Sequence, residues 1–316
     1  MIPSASQRQI KQGASHQAVP LPASPSLALV PSAHQRPHHS PLALWHLLSL
    51  DAPTVAALWT LFIAHCARLT LPWTAPAAMF VAVWMIYAAD RLLDARLLDI
   101  HQKNDLEARH RFHHQHRNRF LTVILLSAIG LVYLLHRIDL RALHLYALLA
   151  TLLAAWMLLI HAYPLPNDAT QRLPKELAVG IFFPAAVFIP TIAHAPWLRV
   201  ELLPAAALFA CVCTLNCLFL YTWEHPTSRL QAHWTTRWAT AHITHLATLV
   251  LAISITTAVL SHQHSSTTRL PALACALSAS SLLLLNALRR RIVPVHLRAY
   301  ADLVLLTPLL LLPFAR

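Results

Sequence analysis

Residues 202–222 read LLPAAALFACVCTLNCLFLYT, an apolar run without a charged side chain. Its length is close to the roughly 20 residues that an α-helix needs to cross the hydrocarbon core of a bilayer. Because lipid offers the backbone no hydrogen-bond partner, a segment that crosses it in this way has to be helical. The run therefore predicts a transmembrane helix.

Eight further apolar runs of similar length accompany this one. The nine predicted spans are residues 52–70, 73–93, 120–136, 142–161, 176–195, 202–222, 240–260, 270–287 and 299–315. The sequence therefore predicts an all-α fold, an integral membrane bundle of about nine transmembrane helices in a domain of residues 44–316. Residues 1–43 are rich in Pro, Ser, Gln and His and have no sustained helical or strand period, so we expect a disordered cytoplasmic tail.

The composition excludes a water-soluble globular enzyme. Hydrophobic residues make up 57% of the chain and charged residues 11%, whereas soluble proteins contain about 25% charged residues. The formal net charge is +12, but most of the positive charge lies in short segments between the apolar runs. This distribution is typical of membrane proteins. We therefore expect the lipid bilayer as a partner and no nucleic acid.

The basic residues also predict an orientation. With the tail in the cytoplasm, 18 Lys and Arg residues fall on the cytoplasmic side and six on the other side. Basic residues accumulate in the cytoplasmic loops of membrane proteins. We therefore expect a multi-pass protein with its N-terminus in the cytoplasm and its C-terminus outside, in the inner or plasma membrane of a bacterium.

Five carboxylates lie at the predicted cytoplasmic ends of the spans: Asp90, Asp94, Glu176, Glu224 and Asp302. Carboxylates near hydrocarbon usually face a bundle interior or a polar cavity, so we expect a polar chamber that opens to the cytoplasm. Asp90 and Asp94 are four residues apart and share a helix face. Their spacing suits Mg²⁺, which binds a few carboxylates together with waters and substrate phosphates. The alternative is that both aspartates pair with arginines.

Two other polar features accompany the acidic residues. The segment between the second and third runs carries Arg109 and Arg111 among several histidines. We expect a basic loop there that lies on anionic headgroups or binds a phosphate. Asn216 lies inside an apolar run, where a polar side chain often bridges two helices. The alternative for Asn216 is that it lines the cavity.

The segment around Asp90 resembles the first motif of the UbiA-type polyprenyl transferases, an Asn-Asp-x-x-Asp-x-x-x-Asp pattern at the end of the second helix. This chain has Asp90-x-x-x-Asp94 at that place, followed by Asp99. The resemblance implies nine helices around a cytoplasm-facing cavity. It also implies an Mg²⁺-dependent enzyme that moves a polyprenyl group from its diphosphate to an acceptor. Asp90 and Asp94 would then be catalytic and would hold the Mg²⁺.

A second stretch carries the same resemblance. Tyr163-Pro164, followed by Arg172 and Lys175, is similar to the Tyr-Pro and basic segment after the fourth helix of the family. The resemblance implies that Arg172 and Lys175 neutralise the charge of the departing pyrophosphate. It also places Tyr163 among the residues that bind the substrate.

Family enzymes carry a further Asp-rich motif between helices six and seven. The matching stretch of this chain has Glu224 and His225 but no Asp repeat, so these two residues are the ones that would partly replace it. In the resembling enzymes the loop between helices two and three folds over the cavity, which makes Arg109 and Arg111 the expected phosphate contacts. The missing Asp repeat leaves two alternatives open: a catalytically inactive lipid-binding or structural protein of the same fold, and a transporter.

Overall fold

The computed structural model describes residues 41–97, 112–113, 115–162, 175–224, 233–261 and 266–315. Regular structure in this part of the chain is helical and includes no β-strand. Its α-helices are α1 (Pro41–Leu47), α2 (Asp51–Cys66), α3 (Thr74–Leu97), α4 (Arg117–Leu135), α5 (Leu140–Ala162), α6 (Lys175–His194), α7 (Arg199–Glu224), α8 (Trp234–Ala241), α9 (Ile243–Leu260), α10 (Ser266–Leu288), α11 (Pro294–Leu303) and α12 (Pro308–Leu311). The prediction of an all-α fold is confirmed for the described residues.

Seven helical segments of the described chain are long and apolar enough to cross a membrane. They are Thr74–Leu93, Arg117–Leu135, Glu176–His194, Pro196–Glu224, Ile243–Leu260, Thr267–Arg291 and His296–Phe314. Helix α2, with 16 residues, is shorter than these seven segments. Helix α5 has 23 residues, and its segment Leu140–Trp156 is apolar. The described part of the chain is thus all-α and contains seven candidate membrane-spanning helices.

Helix α2 is enclosed by other helices. Its side chains Trp59, Phe62 and Ile63 are fully buried. The Trp59 ring stacks on Phe209 of α7 with 3.9 Å between the ring centroids. The Trp59 indole N–H donates a hydrogen bond of 2.8 Å to the Leu305 carbonyl oxygen. Each large aromatic ring buries on the order of 200 Å², so this cluster joins the first long helix to the middle and the end of the chain.

Helix α4, in contrast to α2, is mostly exposed. Of its 19 residues only Phe120 and Leu134 are buried. Leu125, Ile129 and Val132 are exposed on its outer side. Monomeric soluble proteins rarely expose contiguous apolar patches larger than a few hundred Å², whereas contact with hydrocarbon carries no such cost. The surface of α4 therefore fits a lipid environment.

The last predicted span, residues 299–315, is not one continuous helix. A 3₁₀ turn follows α11, and α12 begins at Pro308. Proline has no amide hydrogen and cannot continue the helical hydrogen-bond ladder. The Val304 carbonyl oxygen, to which a helical amide at position 308 would donate, accepts instead from the Ser278 hydroxyl across 3.0 Å. This break ends α11 one residue after Asp302, near the end of the bundle where the cavity described below is found.

The start of the folded region differs slightly from the prediction. Helix α1 begins at Pro41, within the segment 1–43 that was predicted to be tail. Proline is favoured at the first helical position because its missing amide hydrogen would have no helical partner there. The rest of the predicted tail lies outside the described residues.

Candidate functional site

One cavity of about 260 Å³ lies where five helices come together. Its lining residues come from the start of α2, the second half of α3, the start of α6, the last turns of α7 and the length of α11. These are the helix ends at which the sequence predicts the cytoplasmic side. The cavity therefore lies where the acidic residues predict a polar chamber.

The cavity has a polar mouth and an apolar interior. The mouth is formed by four carboxylates and two guanidinium groups: Asp51, Glu176, Glu224, Asp302, Arg91 and Arg298. One or two helical turns further into the bundle the lining becomes apolar: Val55, Val179, Phe183 and Leu220. Ligand pockets typically combine an apolar lining with a few polar groups that fix the orientation of the ligand. This lining suits an amphiphile with a charged head and a hydrocarbon tail.

Asp51 is the most strongly bound carboxylate of the mouth. Its Oδ2 lies 2.7 Å from Nδ1 of His46 and 3.5 Å from a terminal nitrogen of Arg91. Oδ2 of Asp302 lies 3.6 Å from the same His46 nitrogen. Burial alone would lower the pKa of His46, but its contacts with Asp302 and Asp51 outweigh burial and raise that pKa above the ordinary value of 6.5. His46 thus lies between two carboxylates, and both favour its protonated form.

Arg91 holds the α1–α2 turn against α3. Its guanidinium donates to the His46 carbonyl oxygen across 3.0 Å and to the hydroxyl of Ser49. The Ser49 hydroxyl also lies 3.1 Å from Nε2 of His113. Ser49 has a backbone φ of 60°, in the left-handed region that non-glycine residues seldom adopt. This network ties the turn before α2 both to α3 and to the segment before α4.

Glu224 and Glu176 are bound differently from each other. Glu224 forms an ion pair with the Nε of Arg298. Glu176 accepts a hydrogen bond of 3.4 Å from the Thr236 hydroxyl, and no ion pair of Glu176 is found among the described residues. Of the four carboxylates at the mouth, two are therefore neutralised by arginine, while Glu176 and Asp302 have no arginine partner in the described part of the chain.

Asn216 combines both roles that the sequence left open. It bridges α7 and α11, because its Nδ2 donates to Oδ1 of Asp302 across 3.2 Å, and it also lines the cavity. The residue is only 5% exposed. Its Oδ1 is buried and has no hydrogen-bond partner among the described residues. Leaving a buried acceptor unsatisfied costs about 1–3 kcal/mol, so this oxygen is poised to receive a ligand.

Asp90 lies outside the cavity lining, and it is exposed. The residues of α3 that line the cavity are Tyr87 and Arg91, which are four apart and share one face. Successive helix residues are about 100° apart, which turns Asp90 away from that face. Among the described residues, the carboxylates that line the cavity come from α2, α6, α7 and α11.

The remaining predicted site residues fall into two groups. Glu224 and Asn216 line the cavity, as do the predicted acidic residues Glu176 and Asp302. The others lie outside the described residues, either entirely or in their side chains: Arg109, Arg111, Tyr163 and Arg172 entirely, and Asp94 and Lys175 in their side chains. Four of the predicted polar residues are thus brought together.

Four residues of the site were not predicted from the sequence: Asp51, His46, Arg91 and Arg298. A signal was present for Asp51, because a carboxylate at the first residue of an apolar run is costly unless it has partners. No comparable signal points to Arg91. The choice between Asp90 and Arg91 depends on how α3 is rotated in the bundle, which the sequence alone does not determine.

Comparison of the chain with protein-family models, with curated proteins and with solved structures finds no match.

Proposed function

We propose that this chain is a nine-span membrane enzyme of the UbiA type that transfers a polyprenyl group from its diphosphate to an acceptor. The observation that carries the proposal is the cavity with a charged mouth and an apolar interior. A prenyl diphosphate has the same two parts, since its head is a polyanion and its tail is hydrocarbon. In the proposed orientation the N-terminus and the mouth of the cavity face the cytoplasm.

The polar residues of the mouth fit Mg²⁺, the metal that the resemblance implies. Carboxylate, amide and water oxygens are the ligands that this cation prefers. Glu176 and Asp302 lack an arginine partner among the described residues, and the buried Oδ1 of Asn216 lacks a hydrogen-bond donor there. We propose that these three residues hold the cation in place of the predicted Asp90–Asp94 pair. Mg²⁺ bound to a diphosphate supplies Lewis-acid stabilisation of the leaving group.

The other residues of the cavity bind and orient the substrate in this proposal. Arg91 and Arg298 keep positive charge next to the pyrophosphate, which departs when its bond to the first prenyl carbon breaks. That carbon forms its new bond to the acceptor, and the acceptor loses a proton. Val179 and Phe183 pack against the first part of the chain and exclude water from the reacting carbon.

The volume of the cavity limits how much of the substrate can fit inside. Small-molecule pockets usually have about 300–1,000 Å³, and this cavity has about 260 Å³. It has room for the diphosphate and the beginning of the prenyl chain. The remainder of a long chain would lie between helices or in the bilayer.

A second candidate function is non-catalytic binding of an amphiphile on the same scaffold. The observation that favours it is the neutralisation of two mouth carboxylates, since Asp51 contacts His46 and Arg91, and Glu224 contacts Arg298. Without those two, the described lining of the cavity has only Glu176 and Asp302 as carboxylates that could bind metal. Binding of a prenyl diphosphate without turnover is the expected behaviour of such a protein.

The test is prenyl transfer in membranes that contain the full chain. We expect Mg²⁺-dependent transfer by the wild type and a loss of about 10²-fold or more in Asp302→Asn, because a group that stabilises developing charge typically contributes this much. Asp139→Asn, which removes an exposed carboxylate at a distant turn between α4 and α5, is the control and should keep full activity.

Other outcomes separate the alternatives. If Asp90→Asn loses prenyl transfer and Asp302→Asn keeps full activity, the metal is bound by the Asp90–Asp94 motif predicted from the sequence. Mg²⁺-dependent binding of a prenyl diphosphate without transfer by the wild type would favour the binding protein. Absence of both binding and transfer would end the proposal.

A further inference from the structure

A second and larger recess lies between α3 and α4, away from the cavity. It has a volume of about 530 Å³, and we call it the α3–α4 groove. Its walls and floor are apolar and largely aromatic: Leu48, Phe80, Val81, Trp84, Phe120 and Val123. The rings of Trp84 and Phe120 lie near each other, with 6.4 Å between their centroids. A recess of this volume and lining is within the range of lipid-binding and small-molecule sites.

The groove runs along the lipid-facing helix. Its lining on α4 begins at Arg119 and extends to Ser127. The rise from residue 119 to residue 127 of an α-helix is about 12 Å along the axis, close to the ~15 Å thickness of one hydrocarbon leaflet. Val123 of the groove is itself exposed, as are Leu121 and Leu125 beside it on α4. An acyl chain entering from the bilayer can therefore lie in the groove without crossing a polar surface.

The end of the groove at the start of α4 is positively charged. Arg119 lines it together with His116, and Arg119 has no ion-pair partner in the described part of the chain. The first turn of α4 contains no acidic residue, and its N-cap, His116, makes no capping hydrogen bond with its side chain. A helix N-terminus carries about half a positive charge, which favours an anion near its first turn. The charged end and the apolar length together match a phosphate headgroup with a hydrocarbon chain.

We infer that the α3–α4 groove binds an anionic phospholipid from the leaflet next to the start of α4, with its phosphate on Arg119 and one acyl chain against Trp84 and Phe120. The lining of the groove differs from that of the cavity: four carboxylates lie at the cavity mouth, whereas the described residues that line the groove include no carboxylate. Its lining includes Leu48, next to the Ser49 turn that Arg91 holds. The bound lipid thus packs on the same turn that positions His46 and Asp51 at the cavity mouth.

The experiment measures lipid bound to the full chain, purified in detergent, by native mass spectrometry. The probes are phosphatidylglycerol and phosphatidylcholine with identical acyl chains, and inorganic phosphate serves as a competitor. We expect one phosphatidylglycerol to be retained in preference to phosphatidylcholine, and phosphate alone not to displace it. Displacement by phosphate, or equal retention of both lipids, would overturn the inference.

Two pairs of variants locate the binding. Arg119→Gln should weaken phosphatidylglycerol binding about five-fold, since one basic residue near an anionic lipid contributes ~1 kcal/mol. Arg117→Gln removes the same charge two residues away, outside the groove lining, and should have little effect. Ser127→Phe fills the groove and should abolish retention, whereas Leu125→Phe on the exposed face should not.

The contradicting results are equally specific. Equal weakening by the two arginine variants would mean non-specific attraction to a basic surface. Retention of lipid by Ser127→Phe at the wild-type level would place the lipid elsewhere. Displacement of the lipid by a prenyl diphosphate in a one-to-one ratio would assign the groove to the substrate of the proposed enzyme instead. If Ser127→Phe fails to fold, the arginine pair still decides the question, because both arginines are exposed.

Discussion

At the scale of single residues, the buried pair of Asn216 and Asp302 is the most informative contact of the cavity. The amide hydrogen of Asn216 satisfies one oxygen of Asp302, while the amide oxygen has no partner among the described residues. Folding alone does not require such an oxygen, because an apolar residue of similar volume would leave no acceptor unsatisfied. A cation bound there would satisfy both the amide oxygen and the carboxylate.

This arrangement predicts a metal-dependent stability for Asn216→Asp. The variant places two carboxylates about 3.2 Å apart in a buried site, where like charges repel strongly. We expect a lower thermal midpoint than the wild type in the presence of a chelator, and recovery of the difference when Mg²⁺ is added. Thermal unfolding with and without Mg²⁺ measures both effects.

The control for this variant is Asn118→Asp, because Asn118 is exposed on α4. Its midpoint should be independent of Mg²⁺. If Mg²⁺ stabilises Asn216→Asp no more than it stabilises the wild type, the cation is not bound at Asn216 and Asp302.

Single residues also show which parts of the site can be predicted from the sequence and which cannot. Glu176, Asn216, Glu224 and Asp302 were predicted as part of one polar site because polar groups near hydrocarbon are costly, and each does line the cavity. Asp90 was predicted there as well and is exposed. The free-energy cost of burying polar groups predicts that they cluster. Which residue of α3 faces the cavity, Asp90 or Arg91, depends on how the helix is rotated, and tertiary packing sets that rotation.

At the scale of helices, α6 and α7 approach closely at Gly180. A Cβ atom at this position would overlap the Oγ1 of Thr214 and come within 3.3 Å of the Ala210 carbonyl oxygen. The Thr214 hydroxyl is not free to move away without cost, since it donates to that same carbonyl oxygen across 2.8 Å. Small residues permit this kind of close contact between membrane helices.

Gly180→Ala should therefore destabilise the protein by about 1–3 kcal/mol, the usual range for forcing an extra methyl group into a packed contact. Gly130→Ala is the matched control, because a Cβ at Gly130 of α4 would meet nothing within 4 Å. There the higher helix propensity of alanine favours a slight gain in stability. Thermal or denaturant unfolding in detergent measures the difference, and equal midpoints for the two variants would contradict the close packing of α6 on α7.

The lengths of the helices show a second limit of sequence-based prediction. Each of the nine predicted apolar runs coincides with helical structure, because hydropathy and length are properties of local sequence. The last run, however, is interrupted before Pro308. Whether α2, with 16 residues, spans the bilayer depends on the helices around it, and residue-by-residue hydropathy contains no information about them.

At the scale of the whole molecule, the nine-span proposal predicts the side of the membrane on which each connection lies. With α2 and α5 both spanning, the turns after α2 and after α4 lie outside and the segment after α5 lies in the cytoplasm. A membrane-impermeant maleimide should then label Thr70→Cys and Asp139→Cys in intact cells. It should label Gln171→Cys only after permeabilisation.

Two results would contradict this topology. Protection of Thr70→Cys in intact cells, with labelling after permeabilisation, would mean that α2 does not cross the bilayer. Labelling of Gln171→Cys from outside would mean that α5 does not cross. The native cysteines provide the background, which the wild type measures directly.

The hydrogen bond from Trp59 to the Leu305 carbonyl oxygen joins residues that are 246 positions apart in the chain. A ribosome adding 5–20 residues per second needs roughly 12 to 50 seconds to make the intervening polypeptide. Throughout that interval the indole of Trp59 lacks its partner Leu305, and insertases and proteases can reach the incomplete bundle. The core around Trp59 is complete only after Leu305 has been made. A chain that stops before Leu305 should therefore be as strongly destabilised as one with a disruptive substitution in the core.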